Sequence, residues 1–126
     1  MLKDSVAFSG FSVDDQAAAQ DFYESVLGIE VKDNGMGLEL HVTGGTPVFV
    51  YEKADHIPAT FTVLNFQVDD IDQAVDELSA KGISFEMYEN MYQDNKGVTR
   101  GKAEGNGPDI AWFKDPAGNI FSILSE

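Results

Sequence analysis

Two stretches of the sequence decide the fold: FSVDDQAAAQDFYESVLGIEV at residues 11–31 and FQVDDIDQAVDELSAKGISFE at residues 66–86. A phenylalanine, a valine, two aspartates and an alanine recur in both stretches at a constant offset of 55 positions, and the Gly-Ile pair that follows recurs at an offset of 54. Self-similarity at a fixed spacing indicates a repeated structural unit. We therefore expect a chain made of two copies of one module.

Each copy has the pattern of a strand followed by a helix. The strand ends in Val-Asp-Asp, apolar residues then recur three to four positions apart, and a glycine precedes the next apolar run. One aspartate of each pair is expected to cap the helix, because a carboxylate accepts hydrogen bonds from the free backbone amides at a helix start. Gly28 and Gly82 suit the left-handed conformation in which helices end.

Three further strands are expected in each copy. They are GIEVKD, GLELHV and PVFVYEK (residues 28–33, 37–42 and 47–53) in the first, and ISFEMYE, DIAWFKD and NIFSILS (residues 83–89, 109–115 and 119–125) in the second. The predicted fold class is α+β: one domain over residues 1–126, made of tandem βαβββ modules at 1–53 and 60–126 with a linker at 54–59. The Gly- and Asn-rich stretch between residues 87 and 108 is too long for a simple turn and is typical of a functional lid or a disordered tip.

The composition excludes several classes of function. The chain has no cysteine, which excludes disulfides, thiolate metal sites and cysteine nucleophiles. Its formal net charge of −14 repels polyanions, so we expect no nucleic acid partner and a preference for cationic or neutral ligands, although a solvated acidic surface explains the same charge. No apolar run approaches the roughly 20 residues that span a bilayer, and the N-terminus lacks a signal peptide pattern. We expect no membrane partner and a cytoplasmic location.

These motifs resemble the vicinal oxygen chelate superfamily of glyoxalases, ring-cleaving dioxygenases, fosfomycin-resistance transferases and bleomycin-binding proteins. The resemblance rests on DFYESVLG (residues 21–28) together with the Asp-Pro-x-Gly-Asn turn at residues 115–119, and it extends over essentially the whole chain. It implies strands that curl into a cleft, where metal-dependent members hold a divalent cation with His or Glu side chains from the first and last strands of each module. It also leads us to expect a homodimer and a small-molecule ligand.

The positions that correspond to the family's metal ligands carry unsuitable side chains. Carried over through the repeat and the Asp-Pro-x-Gly turn, these positions are Phe8, Val63, Phe49 and Ser122. Divalent cations need carboxylate, imidazole or several oxygen donors, and this set offers one hydroxyl. We therefore expect no metal and no cofactor, and no catalytic residue is assigned. The metal-free members of the family that the chain resembles include the bleomycin-binding type, which sequester a drug rather than transform it.

Strand alternation predicts which side chains face the cleft. The predicted lining is mostly aromatic and aliphatic with a few amide and hydroxyl groups, as in small-molecule pockets, although the same side chains would also suit an ordinary core or a dimer contact. Arg100, in the long loop, is expected to grip a carboxylate, while Trp112 is compatible with either face. The predicted ligand-binding residues are Phe8, Phe49, Tyr51, Phe61, Val63, Asn65, Gln67, Trp112, Ser122 and Arg100. The opposite parity, which includes Thr62 and Phe121, is expected to pack under the helices.

Three functional interpretations follow. The leading one is a glyoxalase- or bleomycin-resistance-like protein without metal ligands, which binds a small, partly apolar and preferably cationic molecule. The second is an enzyme of the same superfamily, a lyase, isomerase or dioxygenase, with metal ligands from Glu39, His41 or Glu52 or with Tyr51 as an acid/base group. The third is a non-catalytic interaction module whose cavity is filled by its own side chains. Whether the protein is an enzyme is left open by the sequence.

Overall fold

The computed structural model describes all residues, 1–126, and divides into two units, Met1–Pro58 and Ala59–Glu126. The boundary between the units falls inside the stretch predicted as a linker. None of the helices has the length and apolar character needed to cross a membrane.

The first unit is a four-stranded sheet with one helical crossover. After a 3₁₀ turn at Leu2–Asp4, the elements are β1 (Gly10–Val13), α1 (Gln16–Asp21), a π-helical segment (Phe22–Val26), β2 (Glu30–Asp33), β3 (Leu38–His41) and β4 (Val48–Glu52). The strand order is β1-β4-β3-β2, in which β1 and β4 are parallel and the other neighbours are antiparallel.

The second unit repeats this arrangement. Its elements are β5 (Thr62–Gln67), α2 (Ile71–Ala80), β6 (Thr99–Arg100), the short helix α3 (Gly101–Glu104), β7 (Asp109–Lys114) and β8 (Ile120–Ser125). The strand order is β5-β8-β7-β6, again with the first and last strands parallel. The predicted α+β class and the two βαβββ modules are confirmed.

The predicted helix ends are present in both units. Asp15 and Asp70, the second aspartate of each pair, accept a hydrogen bond of 3.1 Å from the backbone amide three residues later. Gly28 and Gly82 have φ angles of +68° and +99°, which L residues with a side chain rarely adopt. The local signals that the sequence repeats therefore produce the same local geometry twice.

The first helix ends in a wider turn than the second. Within the π-helical segment, the amide of Leu27 donates to the carbonyl of Phe22 at 3.2 Å, which is an i→i+5 bond, and the amide of Ile29 donates to Tyr23 at 2.9 Å. Tyr23, which belongs to this segment, is fully buried. The second helix has no π segment.

One face of each sheet is buried and forms that unit's core. In the first unit Val13, Leu38, Leu40 and Val50 have no exposed surface, and in the second the same holds for Ala111 and Phe121. The Phe121 ring lies edge-on to that of Phe113, with centroids 5.7 Å apart. Burial alternates along β3, β7 and the start of β4, and the side chains of opposite parity lie on a second face of each sheet, called here the open face.

The strand predicted at residues 83–89 is wrong. That segment is extended but joins the sheet only through the Glu86 amide, which donates to the Trp112 carbonyl at 2.8 Å. The Gln93 side chain occupies the backbone groups that a strand would pair, because it accepts from the Tyr88 amide at 2.7 Å and donates to the carbonyls of Glu86 and Gly97. The edge strand of this sheet is instead β6.

Gly37 is required by close packing at the start of β3. A methyl group on Gly37 would overlap the Val50 carbonyl oxygen and approach the Phe49 ring to 2.9 Å, whereas one on Gly45 would meet no atom within 4 Å. We expect Gly37→Ala to lower the free energy of unfolding by about 1–3 kcal/mol, since the sheet must shift to admit it. Gly45→Ala, the matched control, is expected to stay within about 0.5 kcal/mol of wild type. Urea unfolding measures both, and equal stabilities would contradict the packing.

Candidate functional site

The open face of the second sheet carries the side chains of Trp112 and Ile110. Trp112 lies opposite Ser122, Ile110 lies opposite Leu124, and Ser122 in turn lies beside Asn65 on β5. The neighbouring β7 residues Ala111 and Phe113 are buried on the other face. Trp112, which the sequence allowed on either face, therefore belongs to the open one.

A β-bulge brings Thr62 to this same face. The register of β5 against β8 shifts between Thr62 and Leu64, so that Val63 is the extra residue. The indole Nε1 of Trp112 donates to Thr62 Oγ1 at 3.2 Å, and the Tyr88 ring lies edge-on to the indole at 5.7 Å. The prediction that Thr62 packs under the helix is wrong, because the bulge reverses the alternation at the start of the strand. The contacts of Thr62 and Tyr88 fix the orientation of the indole.

A cavity of about 830 Å³ lies beside Trp112. This volume falls within the roughly 300–1,000 Å³ typical of small-molecule sites. Both the loop that precedes β6 and the short helix after it contribute to its walls. The cavity is lined by Met91, Tyr92, Gln93, Asp94, Val98, Thr99, Arg100, Gly101, Glu104, Asn106, Pro108, Ile110 and Trp112.

Two buried hydroxyl groups at this site have no hydrogen-bond partner. They are Thr99 Oγ1, whose residue lines the cavity, and the phenol oxygen of Tyr88, whose ring contacts Trp112. Burial raises the pKa of Tyr88, with a further contribution from the charge of Glu86. Buried polar atoms in folded proteins are nearly always paired, so these two hydroxyl groups, which have almost no accessible surface, are exceptions beside the cavity.

The only cation on the cavity wall, Arg100, is held by three carboxylates. Its guanidinium nitrogens lie 2.7 Å from Asp72, 2.8 Å from Asp94 and 3.9 Å from Asp109. The fork that was predicted to grip a ligand carboxylate is occupied by Asp72, which accepts from both terminal nitrogens. Since Glu104 also lines the cavity, the charge presented to a ligand is net negative.

The carboxylates around Arg100 are held in the ionised form. Hydrogen bonding to Arg100 lowers the pKa of Asp72 to about 2. Burial acts to raise the pKa of Asp94, but hydrogen bonds from the Val98 and Lys96 amides and from Arg100 lower it overall. The network fixes the loop before β6 to helix α2, and Lys96 extends it by contacting Asp76 at 3.0 Å.

A smaller cavity of about 310 Å³ lies on the open face of the first sheet. Phe49 on β4 forms one wall, and its ring stacks on that of Tyr51 with centroids 5.6 Å apart and an interplanar angle of 19°. The lining residues are Phe8, Asn34, Met36, Glu39, Thr46, Pro47 and Phe49.

Glu39 and His41 are in contact on this face, as their spacing along β3 predicts. His41 Nε2 lies 3.1 Å from Glu39 Oε1, and Asn34 Nδ2 donates to Glu39 Oε2 at 3.2 Å. Hydrogen bonds from Asn34 and then from His41 lower the pKa of Glu39. The other histidine, His56, lies 2.7 Å from the Ser12 hydroxyl through Nδ1 and so attaches the end of the first unit to β1.

The family model described as the Glyoxalase/Bleomycin resistance protein/Dioxygenase superfamily matches residues 5–123. The chain belongs to this superfamily. Solved structures agree: a superfamily member from Sphaerobacter thermophilus is 25% identical, with each chain covered over 100% of its length and a TM-score of 0.70. A search of curated proteins finds no significant match.

Two more distant structures of the glyoxalase/bleomycin-resistance fold carry functional names. TnmS3, an antibiotic binding protein from Streptomyces sp. CB03234, is 21% identical with a TM-score of 0.63, and 97% of each chain is covered. FosX, a fosfomycin resistance protein from Listeria monocytogenes, is 13% identical with a TM-score of 0.69, covering 98% of this chain and 93% of its own. At these identities the likeness shows the fold alone.

The donors present do not fit the divalent metal that the resemblance associates with this superfamily. Of the four corresponding positions, only Ser122 has a donor side chain; it is fully buried, and its hydroxyl donates to Asn65 Oδ1 at 2.5 Å. No group of three His, Asp or Glu side chains in the structure is arranged to hold a metal ion. Glu39 and His41 supply only two ligands.

The predicted ligand-binding residues separate into three groups. The first group lines the cavities: Phe8 and Phe49 in the first unit, with Tyr51 stacked on Phe49, and Arg100 and Trp112 in the second unit. The second group is Ser122 alone, which is fully buried. Outside both cavities are Phe61, which is 68% exposed, the exposed Asn65 and Gln67, and Val63 at the bulge. The ligand-binding role of each residue stays a prediction.

Thr99 and Asp94 line the cavity in the second unit but are not among the residues predicted from the sequence to bind a ligand. Asp94 Oδ1 accepts from the amides of Lys96 and Val98, and Gly97 closes the turn with a φ of +87°. The Asp-x-x-Gly pattern at residues 94–97 is a recognisable turn signal, and it would have indicated an ordered loop that leads into a strand. No local signal marks Thr99 as unpaired.

The Asp72–Arg100 contact makes a pH-dependent contribution to stability. Because the pKa of Asp72 is about 2 in the folded protein and 3.8 ordinarily, this contribution is complete above pH 4 and is lost as the pH falls toward 2. We expect Asp72→Asn to be less stable than wild type at pH 7 and at pH 5, with a difference that shrinks between pH 4 and pH 2. Urea midpoints across this range measure it. Asp69→Asn, an exposed site outside the network, is the control, and a pH-independent difference for Asp72→Asn would contradict the linkage.

Proposed function

We propose that this protein binds and sequesters a small, partly apolar, cationic organic molecule in the cavity beside Trp112, without a bound metal. The observation that carries the proposal is the cavity itself, of about 830 Å³, whose wall includes an indole held in a fixed orientation. An aromatic wall with few, fixed polar anchors is the composition of sites that bind small organic ligands.

The charge around the cavity supports a cationic ligand. Arg100 is neutralised by its carboxylate partners, and Glu104 adds a further negative charge on the wall. An aromatic face attracts cations through its quadrupole, so Trp112 and Tyr92 are suited to the same class of ligand. The formal net charge of −14 attracts such a ligand over a longer range.

Sequestration is preferred to turnover because the donor set does not fit a metal and because the cavity presents no acid/base pair. Its titratable side chains are Asp94 and Arg100, which are bonded to each other, together with Tyr92 and Glu104. TnmS3 is an antibiotic binding protein of the same fold, which makes a drug-like ligand a reasonable first choice. A homodimer in the cytoplasm remains part of the proposal from the sequence.

An enzyme is the second candidate, and the Glu39–His41 contact of 3.1 Å is the observation that favours it. A carboxylate can orient an imidazole for acid/base chemistry, as a lyase or isomerase of this superfamily would require. Metal content separates the candidates. Stoichiometric divalent metal in protein purified without chelator, measured by mass spectrometry, would contradict the metal-free proposal and favour the enzyme.

Trp112 provides a direct readout, since it is the only tryptophan in the chain. We expect metal-free bleomycin or another aromatic organic cation to change Trp112 fluorescence saturably. The affinity is expected to fall at high salt, because screening reduces the attraction between opposite charges. Mass spectrometry of the recovered ligand tests sequestration, which requires an unchanged mass. A fluorescence response that prefers anionic ligands would contradict the proposed charge selectivity.

Thr99→Val separates binding from stability at the same site. Valine keeps the shape of threonine and removes a buried, unpaired hydroxyl, so the free protein is expected to become more stable by up to about 1 kcal/mol. The hydroxyl has almost no accessible surface in the free protein, so a bound ligand reaches it only when the Thr99 side chain turns toward the cavity. With that rotation, Thr99→Val is expected to lower the affinity for the ligand about three- to tenfold, the value of one hydrogen bond. Thermal unfolding and fluorescence titration measure the two effects. Thr60→Val, at an exposed threonine outside the cavity, is the control; an unchanged affinity for Thr99→Val would remove Thr99 from the site.

A further inference from the structure

The chain contains two Asn-Gly pairs, and both lie in exposed connections between elements. Asn34-Gly35 joins β2 to β3, and Asn106-Gly107 lies between α3 and β7. The two glycines have positive φ angles of +87° and +122°. An asparagine side chain is open to attack by the next backbone amide when glycine follows, because glycine has no β-carbon to hinder the approach. Neither sequence nor exposure distinguishes the two pairs.

Hydrogen bonds hold both reacting groups of the first pair. The Gly35 amide donates to Asp33 Oδ1 at 2.8 Å, and the charge of that carboxylate disfavours loss of the amide proton. The Asn34 Oδ1 accepts at 2.9 and 3.0 Å from the amides of the two residues after Gly35. The Asn34 Nδ2 donates to Glu39 at 3.2 Å. Turning the carboxamide toward the Gly35 amide therefore breaks several hydrogen bonds.

The second pair is free of such restraints. The Asn106 carboxamide and the Gly107 amide make no hydrogen bond within the protein. The turn is closed instead by the main-chain amide of Asn106, which donates to the Gly101 carbonyl at 2.9 Å and takes no part in an attack on the side chain. Bringing the carboxamide of Asn106 onto the Gly107 nitrogen therefore breaks no hydrogen bond. Asn106 also lines the cavity beside Trp112.

We propose that Asn106 is a site of spontaneous deamidation in the folded protein, whereas Asn34 is protected. The Gly107 nitrogen forms a bond to Asn106 Cγ, the bond from Cγ to Nδ2 breaks, and ammonia leaves with the proton that the Gly107 amide has lost. The product is a cyclic succinimide. Water then opens the ring at one carbonyl to give aspartate, or at the other to give isoaspartate. The reaction needs no ligand, so it stands or falls independently of the proposed function.

The two products change the cavity wall differently. Aspartate adds a carboxylate to a wall that already carries Glu104. Isoaspartate also lengthens the main chain by one atom, next to a tight contact in which a methyl group on Gly101 would overlap the Pro108 carbonyl oxygen. Packing of this density leaves little room for a longer main chain. We therefore expect the aspartate form to keep native stability and the isoaspartate form to be less stable.

The test is incubation of the full-length folded protein at mildly alkaline pH, followed by trypsin digestion and mass spectrometry. Cleavage after lysine releases the two asparagines in separate peptides, residues 33–53 and 103–114, neither of which contains another asparagine. We expect amide-to-acid conversion at Asn106 to be about tenfold faster than at Asn34, or more, since breaking a hydrogen bond to a charged group costs a factor of that order. Equal rates, or no conversion at Asn106, would overturn the proposal.

Unfolding and a matched pair of variants attribute the difference to the hydrogen bonds. In urea that unfolds the chain the two rates are expected to converge, and a difference that persists there would assign it to local sequence and overturn the proposal. Asp33→Ala removes the acceptor of the Gly35 amide and is expected to speed conversion at Asn34 in the folded protein, with Asn106 unchanged. Asp14→Ala makes the same charge change at an exposed site and is the control. An unchanged Asn34 rate in Asp33→Ala would contradict the protection.

Discussion

The parallel pairing of the first and last strands of each unit is the constraint on which the rest of the structure depends. Parallel neighbours cannot be joined by a tight turn, so the chain must cross over between them, and in both units the crossover contains a helix. In the second unit the helix contacts β7 and β8. One sheet face therefore becomes core, and the open face lies on the side away from the helix.

The two open faces use equivalent positions for different chemistry. Glu39 pairs with Phe49 across β3 and β4, as Trp112 pairs with Ser122 across β7 and β8. A carboxylate beside a phenyl ring thus corresponds to an indole beside a hydroxyl group. The repeated backbone fixes where these side chains stand on each open face, while the residue types decide the chemistry that the face presents. A duplicated frame can in this way present two kinds of chemistry without any change in topology.

The parts of the structure that the sequence predicts are those set by local signals. The Val-Asp-Asp caps and the glycines at the helix ends depend on neighbouring residues, and they form as predicted. The missing strand at residues 83–89 and the reversed face of Thr62 depend instead on Gln93 and on a bulge. Arg100 is predicted to grip a ligand carboxylate, but its guanidinium pairs with Asp72, which lies 28 positions away in the sequence. Composition and spacing carry no information on such contacts.

The π-helical turn at Phe22–Val26 explains why the repeat offset changes from 55 to 54 between the aspartates and the Gly-Ile pair. One additional residue in an α-helix is accommodated by widening a single turn. The first helix therefore accepts an extra residue while Gly28 still ends it as Gly82 ends the second. The widened turn is the structural counterpart of a one-residue difference between two otherwise matching halves of the sequence.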